Sequence, residues 1–217
     1  MSSEAIDNPR QRIFDAAVAL FAKKSYDGVG VREIAGAADV NISMISYYYG
    51  GKGGILKSII DEFHSKYYQA IVHVISEEQT PEESVRLIIK GIVDFIRHNS
   101  DLAVVSFNTL PLDIPEIADI RTEKVKSLIK GVSDLFRRFS LDPDDPLQVI
   151  AIGPSILGIV LAHFRLRPVQ AQIFGLEFDD SFYEKYAGLI STFCLRGITG
   201  IAELNRKQRG DSDENDG

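Results

Sequence analysis

Asp61 and His64 stand three residues apart in a stretch of helical periodicity, a spacing at which both side chains can reach one metal ion. A helical di-metal centre needs several such carboxylate–histidine pairs, and no second Glu-x-x-His exists in the chain. Surface or pocket polarity is therefore the stronger reading of the pair. The glycines around Lys52 suggest a phosphate-cradling loop. That pattern, however, lacks its first glycine and carries Gly53 where Ser or Thr should follow the lysine. Gly153-Pro154-Ser155-Ile156-Leu157 is similar to a nucleophile elbow but has no closing glycine and no preceding strand. The lone cysteine, Cys194, excludes an intrachain disulfide and a multi-cysteine zinc site, and reads as core or interface. His98 and His163 read equally as buried or capping histidines and as the few polar groups of an apolar ligand pocket. No convergent catalytic set emerges. The expectation is a protein that is not an enzyme and has no cofactor or metal.

Helices must position these groups, because nothing in the chain reads as a sheet. Asn8-Pro9 offers a cap and a first-position proline, with Gln11 placed to close a capping box. Ile13, Ala17, Leu20 and Phe21 then form an apolar stripe that runs into Lys23-Lys24. Tyr26-Asp27-Gly28 turns the chain. Two short helical segments follow at 31–38 and 42–49. A long helix is expected from about Gly53 to Ser76 on the stripe Leu56, Ile59, Ile60, Phe63, Tyr67, Ile71 and Val74. Thr80-Pro81-Glu82-Glu83 is a capping box that opens a helix to about Asn99. Ser100-Asp101 caps a short one before Pro111, and another long helix lies near 115–139. Asp142-Pro143-Asp144-Asp145 begins an apolar helix to about Phe164, with a kink expected at Pro154. The last helix spans about 181–205.

The two short segments have the makings of a DNA reader. Ile34, Ala35, Ala38, Val40, Ile45 and Tyr49 can share a small core, the alanines allowing close approach. That leaves Ile42, Ser43, Ser46, Tyr47 and Tyr48 facing elsewhere on a helix short enough to enter a major groove. Successive residues lie about 100° apart, so Tyr47, Tyr48 and Tyr49 cannot all turn inward. Arg32 and Lys52 open the flanking helices, where cations can clamp the phosphate backbone.

Residues 10–56 resemble the DNA-binding domain of the TetR family of regulators. The resemblance rests on Arg12-Ile13-Phe14-Asp15-Ala16-Ala17, Leu20-Phe21-Ala22-Lys23-Lys24 and Tyr26. It continues through Val31-Arg32-Glu33-Ile34-Ala35, Ala38-Asp39-Val40, Ile45, Tyr47-Tyr48-Tyr49, Lys52 and Leu56, in the family's order and spacing. It implies a three-helix domain, a helical ligand-and-dimer domain, and a homodimer on a partly palindromic operator that a small ligand releases. By position, the DNA-contacting roles fall on Arg32, Ile42, Ser43, Ser46, Tyr47, Tyr48 and Lys52. Three departures stand out. Asp39 occupies the turn position where glycine is usual, and aspartate tolerates the positive φ required there. Ser46-Tyr47-Tyr48-Tyr49 replaces the frequent Tyr-x-His-Phe, which changes the expected base readout. The run Gly50-Gly51-Lys52-Gly53-Gly54 is richer in glycine than usual and suggests a pliable junction.

The fold class is therefore all-α, with about nine helices. A helix-turn-helix domain is expected at 1–52, a ligand-binding and dimerisation domain at 53–208 and a disordered acidic tail at 209–217. Residues 1–9 are polar and expected to fray. The formal charge of −7 looks adverse to DNA binding, but Asp211, Asp213, Glu214 and Asp216 in the tail account for more than half of the excess. Modest non-specific DNA affinity with a shallow salt dependence is expected. The apolar run Val149–Ala162 is too short to span a bilayer, and no signal segment opens the chain, so a cytoplasmic protein without membrane contact is expected. Phe63, Tyr67, Phe95, His98, Phe107, Phe136 and His163 are candidate lining of an apolar effector pocket. Ile156, Val160, Phe164, Leu189 and Phe193 are candidate dimer contacts on the last two helices. The function expected is a transcriptional repressor released by a largely apolar ligand. The alternatives are an adaptor of the same fold that lost DNA binding, and a helical metal-binding protein.

Overall fold

Asn8 starts the first helix as its sequence indicates. In the computed structural model, which describes residues 8–109 and 115–215, its Oδ1 accepts from the Arg10 amide at 3.0 Å and Pro9 takes the first helical position. Gln11 does not close a capping box but donates to Asp15 Oδ1 at 2.9 Å. Of residues 1–9, expected to fray, 1–7 lie outside the described residues, as do 110–114 and the last two tail residues.

The elements are α1 (Pro9–Lys23), α2 (Val31–Ala37), α3 (Ile42–Tyr49), α4 (Lys52–Val72), α5 (Pro81–His98) and α6 (Ser100–Val104). A π-helical turn (Val105–Thr109), α7 (Pro115–Arg138), α8 (Pro146–Phe174) and α9 (Asp180–Asn215) follow. No strand occurs among the described residues. Local signals set most starts. Thr80 and Glu83 exchange hydrogen bonds, amide to carboxylate at 2.8 Å and amide to hydroxyl at 3.2 Å. Asp145 Oδ1 accepts from the Leu147 amide at 2.9 Å, and Asp179 Oδ1 from that of Phe182 at 2.8 Å.

The helices fall into two compact units. The first takes the chain up to Lys66 together with Asn99–Val125, and is thus larger than the helix-turn-helix it contains. In it α1, α2 and α3 pack pairwise, and α6 and the π-helical turn pack on α1. Ile13, Phe21, Ile34, Ile45, Leu56 and Phe63 are among its largest sealed side chains. Such residues are worth about 2–5 kcal/mol each when cut to alanine.

The second unit comprises Tyr67–His98 and Lys126–Gly217, with α5 packed on α8 and α9. Buried positions on α5 (Val85, Ile88, Ile89, Ile92, Val93, Ile96) recur every three or four residues and face this core. Gly91 permits the α4–α5 crossing, since a Cβ there would lie 2.5 Å from the Ala70 carbonyl oxygen.

Helix α8 runs ten residues past the expected stop at Phe164 and is continuous through Pro154 and Pro168. Its 29 residues and Asp180–Lys207 of α9 are long and apolar enough to cross a membrane, their most apolar 18-residue stretches having mean hydropathy 1.9 and 1.2. This corrects the estimate taken from Val149–Ala162 alone. Only 22 % and 33 % of these stretches is buried within the chain. Helix α9 also takes in residues 209–215, where composition points to a disordered tail. Only Arg209 and Glu214 there are strong helix formers, so the stretch continues the helix that precedes it, and no proline intervenes.

Candidate nucleic-acid interface

The turn between α2 and α3 is closed by the Val40 amide bonding the Ala35 carbonyl at 3.0 Å. Asp39 takes φ 52°, the left-handed conformation that glycine would occupy more easily. Asn41 then caps α3, its Oδ1 accepting from the Ser43 amide at 2.9 Å and the Ser43 hydroxyl at 2.8 Å. Ile34, Ala35, Ala38 and Ile45 are buried, as the spacing requires. These contacts fix the angle at which α3 is presented.

The outward face of α3 carries Ile42, Ser43, Ser46 and Tyr47, all exposed, and Tyr47 is 82 % accessible. Arg32 on α2 is exposed as well. Tyr48 is half-buried, its ring edge-on to Tyr47 at 4.9 Å. Tyr49 turns back into the fold. Its hydroxyl donates to the Arg10 carbonyl at 2.7 Å, with the Arg10 guanidinium 5.7 Å from its ring centroid. Burial raises the Tyr49 phenol above its ordinary value, partly offset by Arg10. The face can offer hydroxyl groups to bases or phosphates and apolar surface to thymine methyls.

Lys52 is half-buried, and its ammonium donates to the Tyr26 carbonyl at 2.6 Å while lying 3.9 Å from the Tyr26 ring centroid. Burial pushes its pKa down, with Asp27 opposing. An ammonium has three donors, so this anchoring leaves capacity for a phosphate. The glycines about it have geometric duties. Gly50 and Gly51 adopt φ 70° and 120°, and a Cβ on Gly54 would fall 1.6 Å from the Tyr49 carbonyl oxygen. The junction is anchored at Lys52 and close-packed at Gly54, while Gly50, Gly51 and Gly53 have open space about them. Sequence inspection missed Arg10 and named Tyr26 and Gly54 without their contacts, whose partners lie far along the chain or depend on helix crossing.

The candidate effector residues do not form one group. Phe63 and Phe107 meet edge-on at 4.9 Å in the first unit. Close by, Arg121 donates to the Ser106 carbonyl at 3.3 Å across the π-helical turn. His64 is pushed down to about 4, by burial first and then by Lys124 and Arg121, with Asp61 opposing. Asp61 itself pairs with Lys124 at 3.0 Å. A groove of about 540 Å³ runs between Arg10 and Phe14 of α1, Tyr49, and Asp61, Ser65 and Lys124.

In the second unit Tyr67 and Phe95 lie 6.1 Å apart, and Phe136 is half-buried. His98 is exposed, its Nδ1 bonded to the Asp94 carbonyl at 2.7 Å. His163 is buried among aromatic rings. Of the candidate dimer residues, Leu189 and Phe193 are exposed, Ile156 and Phe164 are half-buried, and Val160 is sealed inside the chain. Leu147, Ile150, Ile173 and Phe174 of α8 are exposed too.

Residues 13–59 match the family described as bacterial regulatory proteins, tetR family. The Bacillus subtilis (strain 168) protein named probable HTH-type transcriptional regulator YttP is 33 % identical over 114 residues, 51 % of this chain and 55 % of its own. The HTH-type transcriptional repressor NicS of Pseudomonas putida is 27 % identical over 109 residues, covering 50 % and 51 %. The chain thus spans about half the length of the curated relatives it matches. Among solved structures, the fatty acid degradation regulator FadR from Bacillus halodurans superposes with a TM-score of 0.70 over 87 % of this chain and 95 % of its own, at 19 % identity. At that identity the likeness shows the fold.

Proposed function

We propose that the chain, whose residues 13–59 match the TetR family of regulators, is a transcriptional repressor that binds a partly palindromic DNA operator as a homodimer. The observation that carries this is the face of α3. Ile42, Ser43, Ser46 and the largely exposed Tyr47 project from a helix whose angle is fixed by a buried core and a capped start. Arg32 and Lys52 flank it and supply phosphate contacts. The protein acts in the cytoplasm, where its DNA is.

The homodimer is supported by the uncovered apolar surface of α8 and α9. Leu189, Phe193, Ile150 and Phe174 need a cover, and a second copy of the same face supplies one. Ile156 and Phe164 contribute from their exposed sides, whereas Val160 supports the surface from beneath. Gly153 and Gly158 have nothing within 4 Å of a built Cβ and leave room for a close helix. A dimer sets the two α3 helices about 34–36 Å apart, one turn of DNA. Light scattering of the purified chain without detergent tests this. A dimer mass is expected, whereas a monomer, or a chain recovered only in detergent, contradicts it.

The effector is a small, largely apolar molecule, since the clusters at Phe63–Phe107 and Tyr67–Phe95 are aromatic. The solved neighbour named a fatty acid degradation regulator is in keeping with such a ligand. Release follows from differential affinity for a dimer whose reading helices misfit successive grooves. Selection of bound duplexes from random DNA tests the reading as a whole. The adaptor alternative predicts no enrichment.

A further inference from the structure

In the second unit, His163 Nε2, Gln170 Oε1 and Tyr183 OH are closed off from solvent without a hydrogen bond among the described residues. A buried polar group left unpaired costs about 1–3 kcal/mol, and native interiors leave few. His163 is 6 % exposed and Tyr183 2 %. Gln170 stands two helical turns beyond His163 on the same side of α8. It favours the protonated ring, yet the two atoms do not close a bond of ordinary geometry. Three such atoms together mark the place of a missing partner.

The walls are aromatic. His163 lies 4.5 Å from the Tyr186 ring centroid and 5.4 Å from that of Phe178. Phe164 stacks on Tyr183 at 5.5 Å, and Phe182 on Tyr186 at 5.9 Å. Two guanidiniums border the cluster. The Arg97 guanidinium sits 4.7 Å from the Tyr183 ring centroid, and that of Arg167 5.2 Å from Phe178. Arg167 and Arg97 act on Tyr183, and Arg167 on His163. Of the neighbouring acids, Asp180 pairs with Arg97 and Asp179 caps the start of α9, while Glu177 and Glu184 are exposed to solvent. Burial keeps the imidazole neutral and the phenol protonated. A neutral imidazole with its proton on Nε2, the phenol and a turned Gln170 amide all then offer donors.

We infer that this cluster is a carboxylate site: the head of a small organic acid is received by His163, Tyr183 and Arg167, and its apolar body lies against Phe178, Phe182 and Tyr186. The imidazole N–H, the phenol O–H and the Arg167 guanidinium can donate to one oxyanion, and the aromatic rings suit an apolar body. The site names a class for the effector proposed above and rests on that reading only for its regulatory consequence. A bridging water is the other occupant that would satisfy the three atoms.

Binding is measured on the full chain by calorimetry without DNA, so its failure is separate from a failure to read DNA. The probes are phenylacetate and its neutral counterpart phenylacetamide. Saturable binding of phenylacetate is expected, with phenylacetamide at least about tenfold weaker. Tyr183→Phe should weaken phenylacetate about tenfold. Arg167 is exposed, so Arg167→Met tests the site without risk to the core and should weaken it similarly. The assignment is overturned by absence of saturation, as a bridging water predicts, by equal binding of acid and amide, or by wild-type affinity in both variants. An assembly mass altered by Arg167→Met with no acid binding overturns it too, by giving the cluster to an interface between copies.

Discussion

Lys52 Nζ lies 2.6 Å from the Tyr26 carbonyl oxygen and 3.9 Å from the Tyr26 ring centroid, joining the first turn of α4 to the turn between α1 and α2. A lysine at the start of a helix beside a DNA reader invites assignment as a phosphate clamp alone. Here it is also a strut. Lys52→Met keeps the stem and removes the donor and the charge, so about 1–2 kcal/mol of stability should be lost. Urea unfolding reads this, and an unchanged midpoint contradicts it.

Gly53 and Gly54 are neighbours with opposite tolerance. A Cβ on Gly54 meets the Tyr49 carbonyl oxygen at 1.6 Å, a backbone atom that cannot swing aside, whereas a Cβ on Gly53 meets nothing within 4 Å. Gly54→Ala should cost more than about 3 kcal/mol or displace the start of α4. Gly53→Ala should be neutral or gain up to about 1 kcal/mol. Thermal melts of the two variants side by side decide it, and similar melts refute the close packing.

Tyr47 and Tyr49 differ in what holds them. Tyr47→Ala removes an exposed ring and should abolish specific DNA binding while leaving stability within about 0.5 kcal/mol of wild type. Tyr49→Phe removes the bond to the Arg10 carbonyl and should cost about 0.5–1.5 kcal/mol. Electrophoretic shift and urea titration on both variants separate the roles. Tight binding by Tyr47→Ala would place the reader elsewhere.

His64 gives stability a pH dependence of definite sign. Its folded pKa, about 4, lies below the ordinary 6.5. Above 6.5 both states are neutral and nothing is lost. Between these values the unfolded chain takes up a proton that the folded one refuses, so stability falls with pH until about 4 and then levels. Buried His163, also lowered by desolvation, acts in the same direction. His64→Gln should shrink the loss of denaturant resistance between about pH 7 and pH 5. Equal losses in wild type and variant would count against the burial described for His64.

Features written within a few residues were legible in the sequence. Asn8, Thr80 with Glu83, and Asp145 each bond an amide two or three positions away, so spacing alone reveals them. Asp39 was legible for the same reason, because the turn demands one positive φ. Lys52 and Tyr26 are 26 positions apart, and their contact exists only once the turn after α1 meets the start of α4. The His163 cluster needs α8 beside α9, and periodicity says nothing about which faces meet. The expected end of α8, at about Phe164, fell ten residues short, before Pro168. A proline within a long helix removes one hydrogen bond, and the helix continues past it to Phe174.

The central claim is that the face of α3 reads DNA sequence. Selection from a random duplex library by the full chain, with Tyr47→Ala in parallel, tests it most directly. The wild type should enrich a partly palindromic site with half-sites about one helical turn apart, and Tyr47→Ala should lose it. Enrichment of no motif by the wild type, or the same motif recovered by Tyr47→Ala, would contradict the claim.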